Sequence, residues 1–249
     1  MRGALYPVNP KHRTVFGRPA YASLSKLPAR PDLAVVATPA RTVPGIIDEA
    51  GRAGIKAAIV LSSGFGETGE AGRALQERML EAARRHGVRI LGPNCLGAMR
   101  TDAGLDATFA RTPARPGNLA LVSQSGAICG ALLDWAQGAG VGFTSVVSLG
   151  AAADVDFGEV LDFLVSDPAT GAVLLYVEGI RDARRYMSAL RAAARVKPVV
   201  ALKVGRYASG SKAASSHTGA LVGADDVFDA ALRRVADDVD RIAPGPLRG

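Results

Sequence analysis

The chain has 249 residues, 48% of them hydrophobic, a composition typical of packed α/β structure and not of a disordered protein. This length fits one large domain or two ordinary ones. The net charge of +7 is compatible with nucleic-acid binding, but the basic residues are spread along the chain. Only five tyrosines and one tryptophan are available for stacking on bases, so we expect no nucleic-acid partner; a phosphorylated small ligand explains the charge equally well.

Membrane, disulfide and metal sites are not expected. No apolar run is long enough to cross a bilayer, and Pro7 follows too few apolar residues for a signal peptide. Cys95 and Cys129 are too few for a disulfide framework or a zinc site. We therefore expect a cytoplasmic protein with no membrane association and no metal site.

The first half of the chain alternates short apolar runs with amphipathic stretches, which predicts strands and helices in turn. Gly87 ends the clearest helix, in which Leu75, Met79 and Ala83 share a face. The predicted strands are residues 5–8, 33–38, 57–61 and 88–91, and the predicted helices are 43–51 and 72–86. This order predicts a parallel sheet with helices on both faces.

The alternation begins again after residues 101–118, which have no helical period and are the best boundary between two domains. We place the domains at residues 1–113 and 114–249. In the second, the predicted strands are residues 119–123, 143–149, 172–177 and 198–202, and the predicted helices are 125–137, 157–165, 183–194 and 225–234.

Open parallel sheets bind ligands beyond the carboxyl ends of their strands, so the loops at those ends are the candidate sites. In the first domain these loops suit a nucleotide-like ligand that carries phosphates, although ordinary turn chemistry explains the same residues equally well. The candidate residues there are Asn9, Pro10, Lys11, Thr38, Pro39, Ser63, Gly64, Gly92, Pro93 and Asn94.

In the second domain, Ser123, Ser125 and Gly126 lie between a strand and a helix, where free N–H groups favour an anion. The alternative is an ordinary serine N-cap. Glu178 follows another strand and can orient an imidazole, or it is one more surface carboxylate. His217, set among small residues before a helix, is the candidate nucleophile; a lone loop histidine is otherwise a surface or hydrogen-bonded residue.

Five segments together resemble the α part of the NDP-forming acyl-CoA synthetases, the ADP-forming acetate–CoA ligase group related to the succinyl-CoA synthetase α subunit. They occur in the family's order and spacing, and they are Tyr6-Pro7-Val8-Asn9-Pro10-Lys11, Gly92-Pro93-Asn94-Cys95-Leu96-Gly97, Ser123-Gln124-Ser125-Gly126, Tyr176-Val177-Glu178-Gly179 and Ser216-His217-Thr218-Gly219-Ala220.

The resemblance implies a Rossmann-like coenzyme A-binding domain followed by a flavodoxin-like domain. It implies reversible conversion of acyl-CoA, ADP and phosphate to acid, CoA and ATP, through an acyl phosphate and a phosphohistidine. By position, His217 would be that histidine, Glu178 its partner carboxylate, and Ser123, Ser125 and Gly126 the phosphate site. An ATP-grasp β subunit or domain would bind ADP or ATP with Mg²⁺, which implies an oligomer with this partner.

The sequence departs from the family pattern in three places. It lacks the first strand and the Gly-Ala-Ser loop that contact CoA in the family, it has Ala151 where asparagine is usual, and it differs after Arg234. Two alternatives therefore stay open: a CoA-binding regulatory module of a protein acetyltransferase system, or a truncated inactive fragment.

Overall fold

The structure, a computed structural model, describes residues 3–204. The predicted helix at 225–234 and the candidate nucleophile His217 lie outside these residues. Within them, the chain forms a three-stranded sheet and a six-stranded sheet, each with helices packed against it, and a short hairpin near the N-terminus.

The predicted strand at residues 5–8 is not formed. Val8 makes a single parallel bridge to Tyr21, and the chain then turns into a hairpin of β1 (Thr14–Val15) and β2 (Arg18–Pro19). Pro7 and Pro10 have no N–H to donate to a ladder. The prediction was therefore wrong because apolar character alone does not supply the backbone donors that a strand needs.

The first sheet is parallel, with the order β3 (Leu33–Val36), β4 (Ala57–Val60), β5 (Arg89–Leu91). The strands are connected by α1 (Val43–Arg52) and α2 (Glu70–His86). Gly87 ends α2 in the left-handed conformation, with φ of 66°. The predicted bounds of these helices and strands are confirmed to within two residues at each end. The prediction of helices on both faces is wrong for this sheet, because α1 and α2 pack in one core cluster against the same face of β3, β4 and β5.

Two strands that the sequence did not predict, β6 (Gly97–Arg100) and β7 (Leu105–Thr108), join the second sheet in antiparallel orientation. Gly97 permits their close approach, because a Cβ there would lie 2.1 Å from the carbonyl oxygen of Ala107. Both strands precede the boundary that we predicted near residue 113, and β6 pairs with β9, which follows it.

The remaining elements of the second sheet agree with the sequence prediction. They are β8 (Pro116–Ser123), α3 (Gly126–Ala139), β9 (Phe143–Ser148), α4 (Phe157–Ser166), β10 (Ala172–Val177), α5 (Ala183–Ala194) and β11 (Val199–Lys203). The strand order is β11-β10-β8-β9-β6-β7, and the sheet is parallel from β11 to β9.

Alternate residues of β8 pack on opposite faces of this sheet. Ala120 and Val122 belong to the core under α4 and α5, whereas Leu121 belongs to the core under α3. Helices therefore cover both faces, as the alternation of elements predicts.

A buried ion pair ties β6 to the loop after α4. Arg100 donates to both carboxylate oxygens of Asp167, at 2.6 and 2.9 Å, and Thr170 donates to the same carboxylate at 2.6 Å. These hydrogen bonds, above all those from Arg100, hold the pKa of Asp167 well below its usual range. On its exposed side, Arg100 also binds Asp102.

We predict that Asp167→Asn lowers the free energy of unfolding by about 2–3 kcal/mol at pH 7, because it leaves Arg100 without its buried partner. Since the folded pKa is depressed, this contribution is present above pH of about 4 and is lost as the pH falls below it. Urea unfolding at pH 7 and at pH 3 measures both effects.

The matched control is Asp102→Asn, which removes the exposed partner of the same guanidinium and should cost less. Equal losses of unfolding free energy in the two variants, or a loss in Asp167→Asn that is independent of pH, would contradict a stabilising role for the Arg100–Asp167 ion pair.

Candidate functional site

The carboxyl ends of β8, β9 and β10 meet at one edge of the second sheet. Ser123, the last residue of β8, is in register with Ser148 of β9 and with Tyr176 of β10. Glu178 follows β10 at the same edge and is buried. The structure therefore brings the predicted phosphate-site residues and the predicted partner carboxylate to one place.

The turn into α3 is held by its own serines. The Ser123 hydroxyl is fully buried, donates to the carbonyl oxygen of Ser125 at 2.9 Å and accepts the Ser125 N–H at 3.1 Å. Ser125 is the N-cap of α3, and its hydroxyl accepts the N–H of Ile128. The first N–H groups of the helix remain free of intrahelical partners, and the helix dipole favours an anion there.

Gln124 connects this turn to Glu178, and the sequence analysis did not single it out. Its side-chain oxygen accepts the N–H groups of Glu178 at 2.7 Å and Gly179 at 2.9 Å, and its own N–H donates to Tyr176 at 3.2 Å. Gln124 is buried. It therefore fixes the backbone of Glu178 relative to the N-terminus of α3. The only signal for Gln124 in the sequence is its place between Ser123 and Ser125, directly after a predicted strand.

The Glu178 carboxylate also affects the ionisation of Tyr176, two residues before it in the chain. Burial and the nearby charge of Glu178 raise the pKa of Tyr176 above its ordinary value. Glu178 is thus a carboxylate held at a buried strand end, the kind of group that can orient an imidazole. Its proposed partner, His217, lies outside the described residues.

The loop after β5 packs directly against this edge. The N–H of Leu96 donates to the Ser148 hydroxyl at 2.9 Å, and the N–H of Ala151 donates to the carbonyl oxygen of Pro93 at 2.9 Å. A Cβ at Gly150 would lie 2.3 Å from the carbonyl oxygen of Asn94, and the φ of Gly150 is +55°. Only glycine permits this approach.

The same loop closes the edge of the first sheet. The N–H of Asn94 donates to the carbonyl oxygen of Ser62 at 2.9 Å, and the Ser62 hydroxyl donates to the carbonyl oxygen of Thr38 at 2.6 Å. Glu67, which the sequence analysis also missed, accepts the N–H of Gly64 at 2.6 Å. The predicted loops at residues 38–39, 63–64 and 92–94 therefore form one continuous rim. Gly92 and Pro93 are buried within it, and Asn94 is half-buried.

Asn9, Pro10 and Lys11 are placed by different contacts. The side chain of Asn9 accepts the N–H groups of Lys11 and His12, and its own N–H donates to Tyr21 at 2.8 Å. Within residues 3–204, no hydrogen bond joins this turn to the rim of the other loops.

A recess of about 560 Å³ lies elsewhere, between residues 24–31 and the C-terminal half of α1. Because α1 returns from the carboxyl end of β3, this recess does not coincide with the strand ends that carry the polar loops. No described helix is long and apolar enough to cross a membrane, and the described residues include no cluster suited to hold a metal ion.

Comparison with known proteins decides the family. Residues 2–101 match the model of a CoA binding domain, and residues 116–236 match that of a succinyl-CoA ligase like flavodoxin domain. The succinate–CoA ligase [ADP-forming] subunit alpha 1 of Archaeoglobus fulgidus is 30% identical over 241 residues, which cover 92% of this chain and 78% of the relative. The chain belongs to the NDP-forming acyl-CoA synthetase family.

Within this family, the chain corresponds to the α-type part of ADP-forming acetyl-CoA synthetases. It is 43% identical to acetate–CoA ligase [ADP-forming] I subunit alpha of Pyrococcus furiosus, over 93% of this chain and 51% of that subunit. It also resembles the dinucleotide-forming acetyl-CoA synthetase 1 of Candidatus Korarchaeum cryptofilum, solved with phosphate and ADP. That likeness has a TM-score of 0.88 and 37% identity, and it covers 94% of this chain and 50% of the other. The chain thus spans about half the length of these two relatives.

We predict that Gln124→Ala lowers the free energy of unfolding by about 2–4 kcal/mol, because it leaves two buried N–H groups without an acceptor. Chemical denaturation measures the loss. Gln137→Ala, which truncates an exposed glutamine of α3, is the matched control and should change stability little. A loss no larger in Gln124→Ala than in this control would show that the amide does not hold Glu178.

Both cysteines should be chemically silent in the folded protein. Cys95 and Cys129 are buried, and burial raises their pKa to about 12 and about 11. We predict that a thiol reagent at pH 8 labels neither until denaturant is added. Rapid labelling of the native chain would contradict their burial.

Proposed function

We propose that this chain, as the α-type part of an ADP-forming acyl-CoA ligase, catalyses the phosphorolysis of an acyl-CoA and carries the phosphoryl group on His217. The observation that carries the proposal is the contact between the loop at residues 92–97 and the carboxyl ends of β8 and β9. Leu96 of the CoA-binding domain binds Ser148 of the ligase-like domain. A Cβ at Gly126, where α3 begins, would lie 3.3 Å from the Cβ of Leu96.

This contact supports a shared reaction centre. A phosphate at the N-terminus of α3 would lie beside the rim at which we place the thioester end of CoA. The N–H groups of the helix would neutralise its charge, and the buried walls of Leu96 and Ser148 would limit water.

The proposed chemistry is a sequence of two displacements on this chain. A phosphate oxygen attacks the thioester carbonyl, the carbon–sulfur bond breaks, and CoA leaves as a thiol after protonation. A nitrogen of the His217 imidazole then attacks phosphorus, and the carboxylate of the acid leaves. Glu178 holds the other ring nitrogen and stabilises the charge that develops on the ring.

Transfer of the phosphoryl group from His217 to ADP requires a partner protein or domain. We propose that an ATP-grasp β subunit or domain binds ADP with Mg²⁺ and accepts the phosphoryl group, giving ATP. A small carboxylic acid and its CoA thioester are the proposed substrates, and an oligomer with the ATP-grasp partner is the proposed assembly. Val204, which follows β11, donates to the carbonyl oxygen of Val177, the residue before Glu178.

We predict that the chain, incubated with acetyl-CoA and labelled phosphate and with an ATP-grasp partner, acquires a label that is stable to alkali and labile to acid. His217→Ala should abolish the label. Glu178→Gln should lower its rate by roughly a hundredfold or more, within the range for acid–base and orienting groups.

Two controls accompany this experiment. His86 binds Asp48 between α1 and α2, and Glu77 is exposed on α2; His86→Gln and Glu77→Gln should both keep the label. Absence of label in the wild-type chain with its partner, or label that persists in His217→Ala, would refute the proposed activity.

A further inference from the structure

A small recess at the carboxyl edge of the second sheet has no role in the chemistry described above. It lies between the turn into α3, the loop after β9 and the starts of α4 and α5, and its volume is about 20 Å³. A recess of this size has room for about one water-sized group. We call it the Arg181 recess, and the residues that line it include Gln124, Ala152, Asp156, Ile180, Arg181 and Asp182.

Arg181 brings an unpaired positive charge to this recess. Among residues 3–204, its side chain forms neither an ion pair nor a hydrogen bond. Arg181 keeps contact with solvent, but the surrounding protein partly removes water from the guanidinium, which lowers the pKa of Arg181 from its ordinary value. An arginine remains protonated in a protein, so its charge is available to a ligand.

The two carboxylates that line the recess are engaged by the helices that they cap. Asp156 accepts the N–H of Glu159 at 3.1 Å, and Asp182 accepts the N–H of Arg185 at 2.9 Å. The guanidinium of Arg185 also lies 4.0 Å from Asp156. Helix N-termini stabilise carboxylates in this position. The positive charge of Arg181 is therefore not cancelled by an ion pair with either acid in the described part of the chain.

Gln124 offers a second donor to the same recess. Its side-chain oxygen accepts the N–H groups of Glu178 and Gly179, which fixes the orientation of the amide. The amide nitrogen lies at the other end of the group and has no hydrogen-bond partner among residues 3–204. Gln124 is only 6% exposed and borders the recess. A buried donor without a partner is costly, and an oxygen atom of a ligand in the recess would satisfy it.

The recess adjoins both places at which we propose that the reactants lie. Gln124 belongs to the turn into α3, where we place the phosphate. On the other side, Ala152 directly follows Ala151, whose N–H donates to Pro93 of the loop that we assign to the thioester end of CoA. Ala152 and Ile180 supply apolar wall. The group that passes between CoA and phosphate is the acyl group, so it is the part of the substrate that can reach the recess.

We propose that Arg181, together with the amide of Gln124, donates hydrogen bonds to the acyl oxygen during the reaction. This inference rests on the proposed function. When phosphate attacks the thioester, the carbonyl oxygen becomes negatively charged, and its electron pair re-forms the carbonyl as the carbon–sulfur bond breaks. When His217 attacks phosphorus, the bond from phosphorus to the acyl group breaks, and the departing carboxylate shares the charge over its two oxygens. Fixed donors stabilise the oxygen in both steps.

Two routes to the phosphohistidine separate this role from others. The whole chain with an ATP-grasp partner is labelled either from acetyl-CoA and labelled phosphate, or from γ-labelled ATP with Mg²⁺. Only the first route passes through the acyl group. Arg181→Gln should lower the rate of the first route by roughly a hundredfold, the effect of removing one donor to a developing oxyanion. It should leave the second route unchanged. Arg181→Lys should recover part of the lost rate, because it restores a charged donor.

The matched control is Arg184→Gln, which removes an exposed charge three residues further along the chain and should keep both rates. Unchanged labelling from acetyl-CoA in Arg181→Gln overturns the inference. An equal loss by both routes in Arg181→Gln also overturns it, because that result indicates a structural or phosphate-binding role. A wild-type chain that acquires no label from acetyl-CoA and phosphate overturns the proposed function itself, and the inference with it.

Discussion

The close approach of the loop at residues 92–97 to the end of β9 is the constraint on which the rest of the site depends. Three hydrogen bonds define it: from the N–H of Leu96 to the Ser148 hydroxyl, and from the N–H groups of Ala151 and Ala153 to the carbonyl oxygens of Pro93 and Gly92, the last at 3.0 Å. At Gly150 the backbone of the loop occupies the space that any larger side chain would need. Two sheets that each end in polar loops are thereby held edge to edge.

Electrostatic contacts beside this junction reinforce the same arrangement. Arg89 of β5 binds Asp154 at 3.1 Å and Glu159 at 2.6 Å, and the N–H of Ile90 donates to Asp154 at 2.7 Å. These groups join the first sheet to the start of α4. The chemistry proposed for the site needs two ligands to meet, and a junction with both backbone and ionic contacts suits that need better than a flexible hinge.

Sequence reasoning succeeded where the signal is local. The strand that ends at Val177 and the helix that begins after Ser125 follow from apolar periodicity and capping chemistry, and so did the positions of Glu178 and Ser125 at strand ends. The α/β order of both domains followed for the same reason. Helix ends were within a few residues because Gly87 and Ser125 have intrinsic preferences for those positions.

The parts that sequence reasoning missed depend on contacts between distant residues. Gln124 matters because it reaches residues 178 and 179, and Ser148 because it accepts from residue 96. Strands β6 and β7 are four residues each; β6 forms beside β9, and β7 forms beside β6, with Gly97 allowing the approach of β7. Nothing in the local periodicity of residues 97–108 encodes that neighbour.

The rim of residues 38–39, 63–64 and 92–94 and the carboxyl ends of β8, β9 and β10 are proposed to form one reaction centre. A crystal structure of the chain with CoA and inorganic phosphate tests this most directly. The account predicts phosphate at the N-terminus of α3, in contact with the N–H groups of Gly126 and Ala127, and the sulfur of CoA beside it along the rim of residues 92–94. Coenzyme A bound in the recess between residues 24–31 and α1, or phosphate distant from its sulfur, would contradict the account.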